Sequence, residues 1–202
     1  GISYLQFITP GLIMMEIINN ALQNPSSSLM ISKYQGHIID LLIIPLQKFE
    51  ILFAYIASAI FRAFLVGFIT YLTLIFFVDF LYTSIILIFI TAFLVSLFFS
   101  FLGFFIGIWA KEFDQLSLVQ NFILMPMIFL GGVFYKISNL PPFFQKISSL
   151  NPIVYMIDLF RYSLTGVHDF NIYFSLSIIS IASIFMGFVC YYILKTGWKI
   201  QN

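Results

Sequence analysis

The sequence predicts an all-α fold, a polytopic membrane bundle of five visible spans with a helical hairpin re-entering the outer leaflet. Three observations predict it. Of the 202 residues, 61% are hydrophobic, 20% aromatic and only 8% charged, against roughly 45–50% apolar and about 25% charged in an ordinary soluble domain. Apolar runs of about 20 residues, the length of one helical span, recur along the chain. These runs are too long and unbroken for barrel strands, and backbone groups cannot go unpaired in hydrocarbon, so they are helices. The same arithmetic excludes a soluble globular domain and a disordered chain. With a net charge of +1 it also excludes nucleic acid as a partner. The single cysteine, Cys190, excludes a disulfide scaffold.

The first segment, about Tyr4 to Leu22, is the weakest, because it carries Glu16, Asn19 and Asn20 and is broken by Pro10-Gly11. The second runs from about Ile51 to Phe77, contains Arg62 and is ended by Asp79. A short turn leads to the third, about Ser84 to Trp109, which Lys111-Glu112-Phe113-Asp114 closes. The fourth, about Leu118 to Tyr135, is kinked by Pro126 and carries Gly131-Gly132. The fifth is about Ile172 to Leu194, followed by Lys195 and Lys199. One side then holds Lys33, Lys48, Lys111, Lys195 and Lys199, and the other Lys136, Lys146 and Arg161. The positive-inside rule makes the first side cytoplasmic, with the C-terminus inside and Gly1 outside. The chain opens at Gly1 rather than Met and reads as a fragment.

Two connections carry order of their own. In the cytoplasmic stretch 24–49, Asn24-Pro25-Ser26-Ser27-Ser28 reads as a turn followed by N-cap residues. Short, partly apolar helices follow, up to Pro45. They fit either an interfacial helix resting in the headgroups or a docking element for a cytosolic partner. The outer stretch 136–170 places Pro141-Pro142 where a first helical turn accepts proline. Asn151-Pro152 opens a second helix with an apolar face of Ile153, Met156, Ile157, Phe160 and Leu164. Asp158 and Arg161 lie three apart on its polar side, where they could pair. A re-entrant hairpin and a surface helix pair capping the bundle both fit this pattern.

Catalytic chemistry is missing. The two histidines, His37 and His168, fall on opposite faces, and neither has metal-ligand spacing to a carboxylate or thiol, so no metal site and no catalytic residue is expected. There is no Gly-x-Ser-x-Gly elbow and no phosphate-binding P-loop. Glu112 and Asp114 read as solvated turn charges. Intramembrane ionisable residues are costly and mark functional positions. Arg62 could snorkel, pair with Glu16, or line a substrate path.

Several of these blocks together resemble the membrane subunit of type-2 ABC exporters. They are Pro10-Gly11-Leu12-Ile13-Met14-Met15, Ser26-Ser27-Ser28, Lys33-Tyr34-Gln35-Gly36 and Asp40-Leu41-Leu42 with Pro45. Leu130-Gly131-Gly132-Val133-Phe134-Tyr135, leading to Leu140-Pro141-Pro142-Phe143, belongs with them. So does Leu150-Asn151-Pro152-Ile153-Val154-Tyr155-Met156, with Arg161-Tyr162 and Gly166 beyond. The Gly-Gly and Asn-Pro blocks look especially like the YadH-type inner-membrane transport permeases of bacteria, and the likeness extends over the whole chain as a single transmembrane domain, 1–202.

The resemblance implies six spans with both termini cytoplasmic, hence a missing first span. It implies a permease in the bacterial inner (cytoplasmic) membrane among membrane lipids. That permease pairs with a second copy and works with a separate ATPase subunit that binds the ATP-Mg, so this chain needs no cofactor and is not itself an enzyme. Lys33, Gln35, Gly36, Asp40, Leu41, Leu42 and Pro45 would form the ATPase-coupling element. Glu16, Arg62, Phe129, Gly131, Gly132 and Phe134 would belong to the translocation path or its gate. Asn151, Pro152, Tyr155, Asp158 and Arg161 would shape the outer hairpin. Departures exist: Ile39 stands where the family has a second carboxylate near Asp40, and the stretch from Ala54 to Ala63 carries Ala and Ser where glycines are expected. A membrane structural or assembly protein without transport activity is the alternative; it would have no need of a cytoplasmic docking helix.

Overall fold

The computed structural model describes residues 3–36 and 47–196. The positions Asp40, Leu41, Leu42 and Pro45 lie outside the described residues, as do Ile39, His37 and Lys199. Every regular element among the described residues is helical. We number them α1 (Tyr4–Tyr34), α2 (Lys48–Leu74), α3 (Ile85–Trp109), α4 (Phe113–Phe129), α5 (Pro142–Ser149), α6 (Pro152–Thr165) and α7 (Ile172–Thr196). A single 3-10 turn, Ile137–Asn139, precedes α5.

Three of these helices, α2, α3 and α7, are long and apolar enough to cross a membrane by themselves. α1 is longer, at 31 residues, but more polar. α4 is shorter and apolar. The ends alternate. Gln6 near the start of α1 donates through Nε2 to the carbonyl of Asp79 beyond α2, at 2.9 Å. At the far end, Lys33 of α1 donates to the carbonyls of Ile108 and Ala110 at the end of α3, and Lys48 of α2 reaches the carbonyl of Lys195 in α7 at 3.1 Å. Lys33, Lys48, Lys111 and Lys195 therefore share one end of the bundle, and the connections carrying Lys136 and Lys146 lie at the other.

α1 is a single helix, which corrects two expectations. Neither Pro10-Gly11 nor Asn24-Pro25 breaks it; both prolines are buried inside it. A proline removes one N–H and frees a carbonyl one turn back. For Pro25 that carbonyl is Ala21's; Ser26 and Ser27 donate one turn back from their own positions, to the carbonyls of Leu22 at 2.8 Å and Gln23 at 2.6 Å. With Pro25 buried in the packed bundle, where no water competes for backbone groups, the helix runs on through it. Residues 24–34 thus continue the first segment rather than forming a separate cytoplasmic helix. A capping box starts α1, with Ser3 Oγ accepting from the Gln6 N–H and Gln6 Oε1 from the Ser3 N–H.

The fourth segment also differs from expectation. α4 begins at Phe113 and ends at Phe129, and residues 119–124 are wound as π-helix, with the Met125 N–H donating to the carbonyl of Gln120. Widening the turn ahead of Pro126 makes room for the proline ring, so the strain appears as a π stretch. Ser84 caps α3, its Oγ accepting from the Leu87 N–H at 3.3 Å.

α1 is the centre of the bundle and packs most extensively on α3 and α2; α7 packs on the other side of α3. The contacts with α1 are made through small residues. An added Cβ at Gly103 of α3 would lie 2.2 Å from the Leu22 carbonyl oxygen, and one at Gly107 would lie 2.9 Å from Ser26 Cα. Gly103-Phe-Phe-Ile-Gly107 is thus a Gly-x-x-x-Gly face that brings two backbones into contact. On α2 the same role falls to the buried Ala59, Ala63 and Gly67, so the Ala-for-Gly departure preserves close packing. Replacing Gly103 by Leu should cost about 3 kcal/mol or prevent assembly, as overpacking at a rigid contact does. Thermal unfolding of the purified protein in mild detergent measures this; an unchanged midpoint would mean that α1 and α3 do not touch there.

Candidate functional site

The densest polar arrangement gathers around α6, at the end opposite the lysines. α6 starts at Asn151, whose Oδ1 accepts from the Ile153 N–H at 3.0 Å while its Nδ2 donates to the carbonyl of Met127 at 2.7 Å. One side chain therefore caps α6 and satisfies a carbonyl in the last turn of α4, where no intrahelical donor remains. Pro152 occupies the first helical position. Tyr155 donates its hydroxyl to the Ser149 carbonyl at 2.8 Å, and its ring packs edge-on against Phe170 and Phe174.

α6 is not amphipathic in place. Asp158 and Arg161, expected on a polar side, are 3% and 2% exposed. Nor do their hydrogen bonds join them to each other. Arg161 Nε donates to the carbonyl of Phe7 at 3.2 Å, and Nη2 donates to the carbonyl of Gly132. The guanidinium carbon sits 3.9 Å above the centre of the Phe7 ring, a cation–π placement. Asp158 accepts from the N–H groups of Asp169 and Phe170 at 2.9 and 3.0 Å. Asp169, which the sequence did not single out, accepts in turn from the Ile137 N–H and Ser138 Oγ at 3.0 and 3.1 Å. Both charges are thus compensated by backbone dipoles, the alternative to the expected ion pair.

The Gly131-Gly132 pair lies at the turn that follows α4. Gly132 adopts a φ of +79°, and an added Cβ at Gly131 would meet Ile153 and Ile157 of α6 at 3.0 Å. The turn therefore needs glycine twice, once for backbone freedom and once for close approach. Phe129 and Phe134 flank it, stacked at 5.8 Å between ring centres. The residues expected at the path or its gate fall in three places. Phe129, Gly131, Gly132 and Phe134 come together at this turn, joined to α6 through Arg161.

Glu16 lies instead on α1, half-buried, with Asn20 Nδ2 3.4 Å from its carboxylate. Asn20, Gln23 and Ser27 follow it at spacings of four, three and four, all half-buried; that spacing is one helix face. Arg62 is exposed on α2 beside Phe61 and Leu65, which also face outward, and no ion pair joins it to Glu16.

At the lysine end, Lys33 is bound to the end of α3, and Tyr34 stacks on Phe113, the first residue of α4, at 5.1 Å. Gln35 and Gly36 close α1; Gly36 has a φ of +76°. The last turn of α1 is therefore fixed to the α3–α4 junction.

Two substitutions probe the α6 cluster. Arg161→Lys keeps the charge but loses the planar fork, and should lower stability by about 2 kcal/mol, the value of hydrogen bonds to a charged group; detergent thermal unfolding reads it. Asp169→Ala should leave the helices in place but speed exchange of the Ile137 amide about tenfold, as a locally freed turn does, which hydrogen–deuterium exchange reads directly.

Residues 1–165 match the family described as ABC-2 type transporter. The chain is 39% identical over 202 residues to the inner membrane transport permease YadH of Escherichia coli strain K12, an alignment covering all of this chain and 79% of that protein. The YadH permease of Shigella flexneri matches over the same extent. Nodulation protein J of Rhizobium leguminosarum bv. viciae is 29% identical over 83 residues, 41% of this chain and 32% of its own length. With a family match over most of its length and a relative of this similarity across all of it, the chain belongs to the ABC-2 type transporter family.

Proposed function

We propose that this chain is the transmembrane permease of an ATP-binding-cassette exporter in the bacterial inner membrane, driven by a separate ATPase subunit and working as a pair of permeases. The observation that carries the reading beyond family membership is the polar face of α1. Glu16, Asn20, Gln23 and Ser27 follow one line along a helix held at the centre of a membrane bundle. Such a line is unfavourable against lipid and suits a hydrated path. In this reading the lysine end is cytoplasmic, as the positive-inside rule requires.

The mechanism follows from what each end is attached to. The segment between α1 and α2, with Asp40, Leu41, Leu42 and Pro45, is the coupling element that docks on the ATPase. Nucleotide chemistry stays in that partner, and this chain contributes rigid-body motion. A push on the coupling element is applied at the last turn of α1, which Lys33 and Tyr34 fasten to α3 and α4. α1 then moves with α3, its neighbour along most of its length. At the opposite end, Phe7 of α1 and Gly132 of the α4 turn are held by the same guanidinium, which supports reading the Gly131-Gly132 turn with Phe129 and Phe134 as the outer gate.

The test is purification of the tagged full-length permease from its native membrane. An ATPase subunit is expected to co-purify, and Asp40→Lys should reduce its recovery about tenfold, the effect of about 1.4 kcal/mol at a docking surface. Glu16→Gln should leave recovery unchanged while altering which compounds stimulate ATP hydrolysis by the reconstituted pair. Absence of any associated ATPase would overturn the exporter reading.

A further inference from the structure

A recess of about 260 Å³ lies at the opposite end from the lysines, between α1, α2, α3 and α6. Its floor is buried: Ile13 and Ile17 of α1, with Phe160 and Leu164 of α6. Its outer lip is not. Phe68 of α2 and Phe89 of α3 are each 59% exposed, and both stand on helices that span the membrane by length and composition. The recess is therefore continuous with the lipid-facing surface. Phe64, Gly67, Phe68 and Tyr71 line it along two turns of α2, at the i, i+3, i+4, i+7 spacing of one face.

Among the described residues, the only polar side-chain groups on its lining are two phenols, and they sit together. Tyr71 of α2 and Tyr82 of the α2–α3 connection are joined hydroxyl to hydroxyl. Tyr82 is held there at a cost. Its φ of 48° makes it the one non-glycine residue with positive φ among the described residues, a conformation that persists only when its surroundings impose it. The imposition is visible: the N–H groups of Leu81 and Tyr82 both donate to the Leu164 carbonyl at 3.2 Å, and Ser84 donates to the Ser163 carbonyl at 3.3 Å. Burial, then the Tyr71 hydrogen bond, push the Tyr82 phenol up to about 12, so it stays protonated. Two phenols joined by one hydrogen bond keep one O–H free to donate.

We propose that this recess is a binding site for one acyl chain of a membrane phospholipid, with its ester carbonyl at the Tyr71–Tyr82 hydroxyls. Beyond the two phenols the lining offers water no partners, and a dry cavity of about 150 Å³ already accepts benzene. The substance at its mouth is hydrocarbon, and a lipid chain entering between Phe68 and Phe89 needs to leave no polar surroundings. The tyrosine pair marks the depth at which the chain becomes a headgroup, the level where tyrosines anchor at a membrane interface. The site stands apart from the α1 polar face and the α4 turn, and it does not rest on the transport reading.

The experiment counts phospholipid retained by the full-length protein after extensive washing in mild detergent, with native mass spectrometry to identify what is bound. Wild type should hold about one tightly retained phospholipid per chain, as a pocket of this size admits. Ala92→Phe fills the recess and should lower retention about tenfold. Because that variant could also misfold, Tyr82→Gly provides an independent arm. Glycine relieves the left-handed backbone while deleting the hydroxyl that anchors the ester, so retention should fall although the unfolding midpoint holds or rises. Phe188→Ala, on the outward face of α7, should leave the count unchanged. Equal retention by wild type, Ala92→Phe and Tyr82→Gly would overturn the proposal, as would a free fatty acid or detergent as the only retained species.

Discussion

A helix end in hydrocarbon has no water to satisfy it, and that constraint organises this molecule around α6. α6 is too short to span and is buried on every side, so all of its terminal groups must be met by protein. Asn151 meets the first turn, and the N–H groups of residues 81, 82 and 84 meet the last carbonyls. Asp158 and Arg161 extend the same accounting to charge: each finds backbone groups of other segments in place of solvent. Every connection at that end therefore converges on α6. Without it, the start of α1, the α2–α3 connection, the turn after α4 and the lead into α7 would have no common partner.

Much of this was legible in the residues and some was not. The Asn151-Pro152 opening of α6 and the second, third and fifth apolar spans obey rules that act over a few residues, and they stand where those rules put them. The continuity of α1 was hidden because proline and serine change meaning with their surroundings. In water Asn24-Pro25-Ser26 stops a helix; here Pro25 is buried in a helix packed along α3, and the helix runs on. Gly103 and Gly107 had a readable spacing, four apart on an apolar helix, and the small-residue face could have been recognised from it.

The α6 cluster shows the other kind of limit. Asp158 and Arg161 are three apart, and that spacing predicts a pair. Their true partners, Phe7, Gly132, Asp169 and Phe170, are brought in by the fold. Backbone carbonyls carry no sequence signature, so an arginine that binds two of them cannot be told in advance from one that snorkels. Asp169 was passed over for the same reason: its role is to hold the N–H of Ile137, a group every residue but proline has. Glu16 and Arg62 were both flagged by cost alone, and the fold separates them onto inward and outward faces.

The close seam between α1 and α3 has a mechanical consequence. The two helices touch backbone to backbone at Gly103 and Gly107, and near their lysine ends Lys33 fastens one to the other. Two rods joined along their length resist bending far more than two that slide past each other, since flexure of the pair must stretch one and compress the other. α1 is about 45 Å long at 1.5 Å per residue. A displacement at one end is then delivered to the other as tilt rather than dissipated as curvature, and a single methyl group at the seam would be enough to let the rods slip.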